Sequence, residues 1–299
     1  MPEGRLRELS DRDGALKLRD GRTLSFRRHG EPGGEPVFYF HGFPGSRLEA
    51  GFVALGGLSL YGVERPGYGL SDPARRRRLA DWPADIAALA DHLGLGRFSV
   101  LGISGGAPYA AACAWAMPDR VKAAAIVAPI GPPVAPGMDG GRMRALLRFG
   151  RRGWMQSPII AIARALLLHP SSERRFLAQR EMLLKTRRYA KTPKEGAALS
   201  VEFMRHQLHN WREGIRRSLA GLFSDARIYG EPWPFDLGAI RVPVHLWHGE
   251  EDHVVPVTVA RHYAAYVPGI RARFLPGEGH FSAILNSLPD VVETLLSHR

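Results

Sequence analysis

An apolar run, Phe98–Ser99–Val100–Leu101, stops at Gly102, and a small-residue helical pattern from Ala110 to Ala116 begins only a few residues later. A buried strand that becomes a helix across so short a turn must take strained backbone angles, and glycine tolerates both those angles and the close packing. Gly102, Gly105 and Gly106 stand at that turn. They leave Ser104 at its tip, with its hydroxyl exposed and the next backbone N–H aimed at whatever the hydroxyl meets. A strand–turn–helix of this kind implies a sheet with helices on its faces. The pentapeptide G-x-S-x-G alone is weak: a chain with 34 glycines can produce one by chance, and a serine that only caps a helix looks the same.

The surrounding pattern supports the architecture. Leu16–Leu18 and Arg22–Arg28 flank Asp20–Gly21, a two-residue hairpin signal. Val37–Phe40 is continuously apolar, as a strand buried on both faces must be. A helix is expected near Arg47–Leu55, a strand over Leu58–Val63, and a helix over Asp81–Leu93 with Trp82–Pro83 at its start. After the Ser104 turn come a helix, Ala107–Met117, and a strand, Val121–Ala128. Further on, Val242–His248 and Arg271–Leu275 read as strands and Asn286–Leu296 as a closing helix. Alternating strands and helices predict a doubly wound, mostly parallel sheet of the α/β class.

Between these halves the pattern changes. Pro132, Pro133, Pro136, Gly137, Gly140 and Gly141 form a hinge-like stretch, after which helical segments follow without strands until Trp233–Pro234: Arg142–Arg151, Pro158–Leu168, Glu173–Tyr189, Lys194–Asn210 and Trp211–Asp225. The charge changes at the same place. Of a net charge of +12, residues 131–235 carry +11 and the other 194 residues +1. The expected organisation is a core of residues 1–130 and 236–299 with an inserted all-helical cap of residues 131–235. Five of the seven Met fall in the insert, with Trp154, Trp211 and Trp233, which suits an adaptable apolar roof or packing of cap on core.

Met1–Arg12 lacks the apolar stretch of a secretory signal, and no apolar run reaches the roughly 18–20 residues of a membrane helix. The single cysteine, Cys113, rules out an intramolecular disulfide and reads as a small core residue. On these features a cytoplasmic chain with no membrane partner is expected. His206 and His209 share one helix face but lack the acidic or thiol neighbours of a metal site. The basic residues are scattered over several helices without a nucleic-acid motif, so no nucleic-acid partner is expected. Arg75–Arg78 reads as a solvated loop or an anion contact.

Separated motifs carry a resemblance that spans almost the whole chain: His41–Gly42–Phe43–Pro44–Gly45–Ser46 after a strand, Arg65–Pro66–Gly67–Tyr68–Gly69–Leu70–Ser71–Asp72, the Ser104 turn, Gly249–Pro256 and Gly277–Phe281. In this order they resemble the α/β-hydrolase superfamily, in its branch of cap-bearing serine hydrolases (esterases, proline iminopeptidases and haloperoxidases). The resemblance implies Ser104 as nucleophile and the backbone amides of Phe43 and Gly105 as oxyanion hole. The residues alone leave Glu250, Glu251 and Asp252 open as the acid; the family pattern G-x-x-D-x-x-V-P selects Asp252. It also selects His280 as base over His248 and His253, which lie beside the acid itself. His41 is expected to pin its loop, and Arg65 with Asp72 to form a polar lock.

A serine hydroxyl needs a base near neutrality and a carboxylate to orient that base, and Ser104, His280 and Asp252 supply them without metal or organic cofactor. The expected activity is hydrolysis of small-molecule carboxylic esters through an acyl-Ser104 intermediate. Amide hydrolysis like that of proline iminopeptidases, lactone or C–C bond hydrolysis, and ligand sensing on the same fold are the alternatives. A serine at position 104 argues against the epoxide hydrolases and haloalkane dehalogenases, which need a carboxylate there. The basic insert argues against the acidic pocket an aminopeptidase needs for its substrate's amine. Arg142, Arg144, Arg148, Arg151, Arg152, Arg187, Arg188, Arg216 and Arg217 either steer anionic substrates or only solubilise the insert.

Overall fold

The computed structural model describes residues 13–53, 56–140, 158–185 and 192–298. Eight strands form one sheet: β1 (Asp13–Lys17), β2 (Thr23–Gly30), β3 (Glu35–Phe40), β4 (Leu58–Val63), β5 (Phe98–Ile103), β6 (Val121–Val127), β7 (Val244–Gly249) and β8 (Arg271–Leu275). Their spatial order is β1-β2-β4-β3-β5-β6-β7-β8. β2 pairs antiparallel with β1 and β4, and every other neighbouring pair is parallel.

The continuous apolar strands are divided by the pleat between two cores. Phe38 and Phe40 face one side with Phe98 and Val100, against Trp82, Ile86 and Leu89 of α1 (Trp82–His92), the alanines of α2 (Ala107–Ala116) and Tyr263 of α8 (Val257–Tyr266). Val37 and Tyr39 face the other with Leu101, Val127 and Trp247, against Leu288, Val291 and Leu295 of α9 (His280–Leu296). Ala110, Ala111, Ala112, Cys113 and Ala114 are all buried. Their small side chains bring α2 close to the sheet beside the Ser104 turn.

Between β6 and β7 the described residues form helices and no strand: α3 (Pro158–Leu168), α4 (Ser172–Lys185), α5 (Pro193–Ala198), α6 (Val201–Gly214) and α7 (Ala220–Tyr229). The expected helix Arg142–Arg151 and the end of Glu173–Tyr189 lie outside the described residues. The expected helix Lys194–Asn210 is two helices, broken where the Ser200 side chain accepts the Phe203 N–H and so starts α6 afresh. α6 then runs through Trp211 to Gly214, and the next helix begins only at Ala220. Arg47–Phe52 is a single 3₁₀ segment rather than the helix expected to Leu55, α8 is a helix the sequence pattern did not reveal, and α9 starts at His280, before the expected Asn286.

α6 and the start of α7 are seated on the loops after β3 and β4 by backbone proximity. A Cβ on Gly214 would lie 2.2 Å from the Gly45 carbonyl oxygen, and one on Gly67 would lie 2.5 Å from the Gly221 nitrogen. Gly69 N–H also donates to the Gly214 carbonyl at 2.8 Å. Among the described residues no helix is long and apolar enough to cross a membrane.

Replacing Gly214 with Ala should force α6 away from Gly45 and destabilise the protein by about 1–3 kcal/mol, the usual range for overpacking. Urea unfolding followed by tryptophan fluorescence measures this. A Gly214→Ala midpoint equal to wild type would mean that the contact is not tight in solution.

Candidate functional site

The parallel strands β3, β5, β7 and β8 end at one edge of the sheet, and the loops leaving that edge bring the expected site residues together. Ser104 follows β5 with φ +52°, a left-handed conformation that costs a non-glycine residue strain. The glycines around it are fixed by space. A Cβ on Gly102 would meet Gly106 O at 2.6 Å, one on Gly106 would meet Phe40 O at 1.9 Å, and one on Gly105 would meet Phe43 Cβ and the Tyr229 hydroxyl at 2.6 Å. The Phe43 nitrogen lies 3.2 Å from that same Gly105 Cβ position, so the Phe43 and Gly105 peptides adjoin beside Ser104.

His280 Nε2 lies 3.1 Å from Ser104 Oγ, and His280 Nδ1 lies 2.7 Å from Asp252 Oδ2. The second Asp252 oxygen accepts the Val254 and Val255 N–H groups at 2.7 and 2.8 Å. Burial pushes the Asp252 carboxyl up, but the charge of His280 and the bond to it outweigh burial and hold it below the ordinary carboxylate range. For His280 burial favours the neutral ring, yet the Asp252 charge and hydrogen bond, aided by Glu195 and Glu49, raise its pKa above the ordinary 6.5.

The rivals are elsewhere. Glu250, Glu251 and His253 are exposed. His248 lies behind the acid, its Nε2 3.1 Å from the Val255 carbonyl and 3.5 Å from Asp252 Oδ2. Burial pushes its pKa down despite Asp252.

His41 Nδ1 lies 2.9 Å from Gly42 O within its own loop, and its ring packs edge-on against Tyr68. Arg65 is the residue that pins this loop, donating to His41 O at 2.5 Å and Gly42 O at 3.0 Å. Its acid is Asp225 of α7, which accepts from Arg65 Nε at 2.8 Å. Asp72, the expected partner, instead accepts the Thr23 N–H at 2.8 Å. Of the arginine run, Arg77 is buried on Asp225 while Arg75, Arg76 and Arg78 are exposed. Tyr109 donates to Asp225 at 2.5 Å, and the Tyr229 hydroxyl lies 3.2 Å from Asp225 Oδ2 and 2.8 Å from Gly105 O. Burial alone would raise the Asp225 pKa, but the two guanidinium charges hold it at about 2. One buried carboxylate thus ties the loop after β3, through Arg65, to the backbone at Gly105, through Tyr229.

A second buried acid, Glu49, accepts Tyr39 OH and Gly42 N–H on one oxygen at 2.8 and 2.7 Å and Asn210 Nδ2 on the other at 2.6 Å. Asn210 in turn accepts the Ser46 N–H at 2.8 Å. Burial raises the Glu49 pKa against these donors. Glu49 and Gln207 are polar points on a cavity of about 110 Å³ that opens on Ser104 and His280 and is otherwise walled by apolar groups such as Phe43, Phe52, Phe203 and Trp211. Glu49, Asn210, Asp225 and Tyr229 were not among the expected site residues. Their signal in the sequence was slight: Glu49, Asn210 and Asp225 are polar residues within or at the end of expected helices, and Tyr229 lay beyond the last of them.

Of the expected steering arginines, Arg142, Arg144, Arg148, Arg151, Arg152, Arg187 and Arg188 lie outside the described residues. Arg216 lies 3.1 Å from Glu213, and Arg217 donates to Leu70 O at 2.9 Å. Among the described residues no group of three or more His, Cys, Asp or Glu could hold a metal ion. His206 packs edge-on against Phe52.

Asp225→Asn should leave two buried guanidinium groups sharing a neutral partner and destabilise the fold by about 3–5 kcal/mol. Denaturant titration checks this, and a loss under about 1 kcal/mol would show that water reaches the arginines.

Residues 35–287 match the family model described as alpha/beta hydrolase fold. A proline iminopeptidase of Neisseria gonorrhoeae is 30% identical over 115 residues, which is 36% of this chain and only 37% of that protein's length. A non-heme chloroperoxidase of Streptomyces lividans is 26% identical over 296 residues, 93% of this chain and 96% of that one. Among solved structures, a bromoperoxidase from Bacillus anthracis superposes with a TM-score of 0.69 at 15% identity, covering 96% of this chain and 100% of its own. An esterase from Exiguobacterium antarcticum does so with a TM-score of 0.67 at 18% identity, covering 96% and 99%. These structural likenesses speak to the fold, and the match over most of its length makes this chain a member of the alpha/beta hydrolase fold family.

Proposed function

We propose that the chain hydrolyses small-molecule carboxylic esters, with Ser104 as nucleophile, His280 as general base and acid, and Asp252 as the group that orients His280. The observation that carries this reading is the continuous relay Ser104 Oγ to His280 Nε2 at 3.1 Å and His280 Nδ1 to Asp252 Oδ2 at 2.7 Å, at the wall of an apolar cavity. His280 takes the Ser104 proton as Oγ attacks the ester carbonyl, and the amides of Phe43 and Gly105 receive the oxygen that becomes negative. The imidazolium returns its proton to the departing alcohol. Water, deprotonated by the same ring, then releases the acid from acyl-Ser104. Each step uses groups of the chain itself. The small, largely aromatic cavity suits a short or flat acyl group, and residues 131–235 act as its cap.

One observation favours a second reading, amide or peptide hydrolysis at a free amine. The net charge of the insert argued against an acidic pocket, but Glu49 puts a buried carboxylate on the cavity wall. A cationic amine would relieve its burial, and the partial likeness to proline iminopeptidases points the same way. Parallel assays with p-nitrophenyl acetate and butyrate and with proline p-nitroanilide separate the two: ester turnover without anilide turnover supports the first.

Ser104→Ala should lower kcat about 10⁴-fold or more with the fold intact. Equal turnover by mutant and wild type would remove the site from the reaction. Because His280 accepts a proton only when neutral, and its pKa is raised above the ordinary 6.5, kcat/KM should rise with pH through an acid limb centred above 6.5. A profile flat from pH 6 to 8 would contradict the assignment of the base.

A further inference from the structure

His280 is the first residue of α9, and the residue at the capping position before it, Gly279, has no side chain to satisfy the first-turn amides. They are satisfied from the insert. Glu195 of α5 accepts Phe281 N–H on one oxygen at 3.1 Å and Ser282 N–H on the other at 2.8 Å, while Ser282 Oγ accepts Gly279 N–H at 2.8 Å. Glu195 is only 3% exposed. A Cβ on Gly279 would fall 2.6 Å from its Cδ and Oε2, so the missing side chain is the space that the carboxylate occupies. α5 is held there at its neighbouring residue as well, because Lys194 Nζ lies 3.0 Å from Glu278 Oε1 and donates to Pro276 O at 3.1 Å.

We propose that Glu195 is a positioning residue for His280: a carboxylate supplied by the inserted helices that caps α9 from another element, fixes the imidazole between Ser104 and Asp252, and sets a negative charge behind it. The geometry stands by itself; the effect on rate rests on the ester-hydrolysis reading. An uncapped helix N-terminus carries a partial positive charge that disfavours an imidazolium at its first residue, and a carboxylate on the first-turn amides offsets it. The other titratable groups around the ring are Asp252 and His248 from the β7 loop and Glu49 from the segment after β3. Glu195 and Glu49 act in the same direction as Asp252, against the effect of burial.

The test uses the full chain and reads the His280 ring directly. The pKa of His280 is measured by NMR on ¹⁵N-histidine-labelled protein, its signal identified by loss in His280→Asn, alongside the acid limb of kcat/KM. Glu195→Gln keeps an acceptor but removes the charge. It should lower the His280 pKa by roughly half a unit, less than the 1–3 units of a direct ionic partner, and carry the acid limb down with it. Glu195→Ala should give the same shift with about a 10-fold further fall in kcat and little change in KM, as expected when a general base is misplaced. Gly279→Ala should reproduce the shift by displacing the carboxylate, and should add nothing in a Glu195→Ala background. Glu173→Gln, which removes a half-buried acid of α4 paired with Arg205, should leave the His280 pKa unchanged.

A His280 pKa equal to wild type in Glu195→Gln and in Gly279→Ala would overturn the proposal, as would an equal shift in Glu173→Gln. If Glu195→Ala does not fold, Glu195→Gln and Gly279→Ala decide alone. If Ser104→Ala leaves ester turnover intact, the proposed function falls, while the ring titration still judges Glu195.

Discussion

Asp225 holds two arginines, a tyrosine hydroxyl and, through Tyr229, the backbone at Gly105 inside a region that water does not reach. A lone carboxylate in such a place would be expensive, and so would either arginine; together they are tolerable because both Asp225 oxygens and the Arg65 N–H groups find partners and the Tyr68 and Tyr109 rings face the Arg65 guanidinium at 5.2 and 4.7 Å, although Arg77 Nε and the Tyr68 hydroxyl are buried without one. The cluster remains one positive charge in excess. It adjoins the loop after β3 and the Ser104 turn and fixes peptides in both: Arg65 holds the carbonyls of His41 and Gly42, and Tyr229 holds that of Gly105. By peptide planarity the N–H groups set in this way are those of Gly42, Phe43 and Gly106.

Around this cluster, close approach of backbones replaces side-chain packing. Gly106 sits against the end of β3, Gly214 against Gly45, and Gly221 against Tyr68 and Gly67. At each contact a methyl group would enter the space of a neighbouring atom. Such contacts set distances to fractions of an ångström around Ser104 and His280. The interactions of Glu49 and Asn210 add hydrogen bonds to the same seam, so the loop after β3 is held from the sheet side by Tyr39 and from the insert side by α6.

The strands and the Ser104 turn were legible because their signals are local. Val37–Phe40 announces burial on both faces, and Gly102, Gly105 and Gly106 announce a turn that only small residues can make. Asp252 and His280 were singled out from Glu250, Glu251, His248 and His253 by the family pattern rather than by local signals, and the strands β5, β7 and β8 bring their loops and that of Ser104 to one sheet edge. The polar framework was not legible, since Arg65 finds Asp225 160 residues away and Arg47 finds Glu213 166 residues away. Asp72, close in sequence and of the right charge, was the natural partner for Arg65 by proximity alone. Helix limits failed for a related reason. Ser200 interrupts a pattern whose periodicity continues across it, and the start of α9 has no capping residue of its own.

The polar contacts of α3 and α4 run to α6 and its neighbours: Arg164 to the carbonyls of Ile215 and Arg216, Arg212 to Leu167 O, Arg180 to Leu199 O and Glu173 to Arg205. Those of α6 and α7 run to the loops after β3 and β4 and to the backbone at Gly105, and α5 holds the start of α9 through Glu195. The helices between β6 and β7 therefore have a seam among them: α3 and α4 lean on their neighbouring helices, whereas α5, α6 and α7 are bonded to the loops at the sheet edge. A chimaera that exchanged all of these helices between two such proteins would replace Glu195, Asn210, Asp225 and Tyr229 together; one cut before Pro193 would exchange α3 and α4 and leave those four side chains in place.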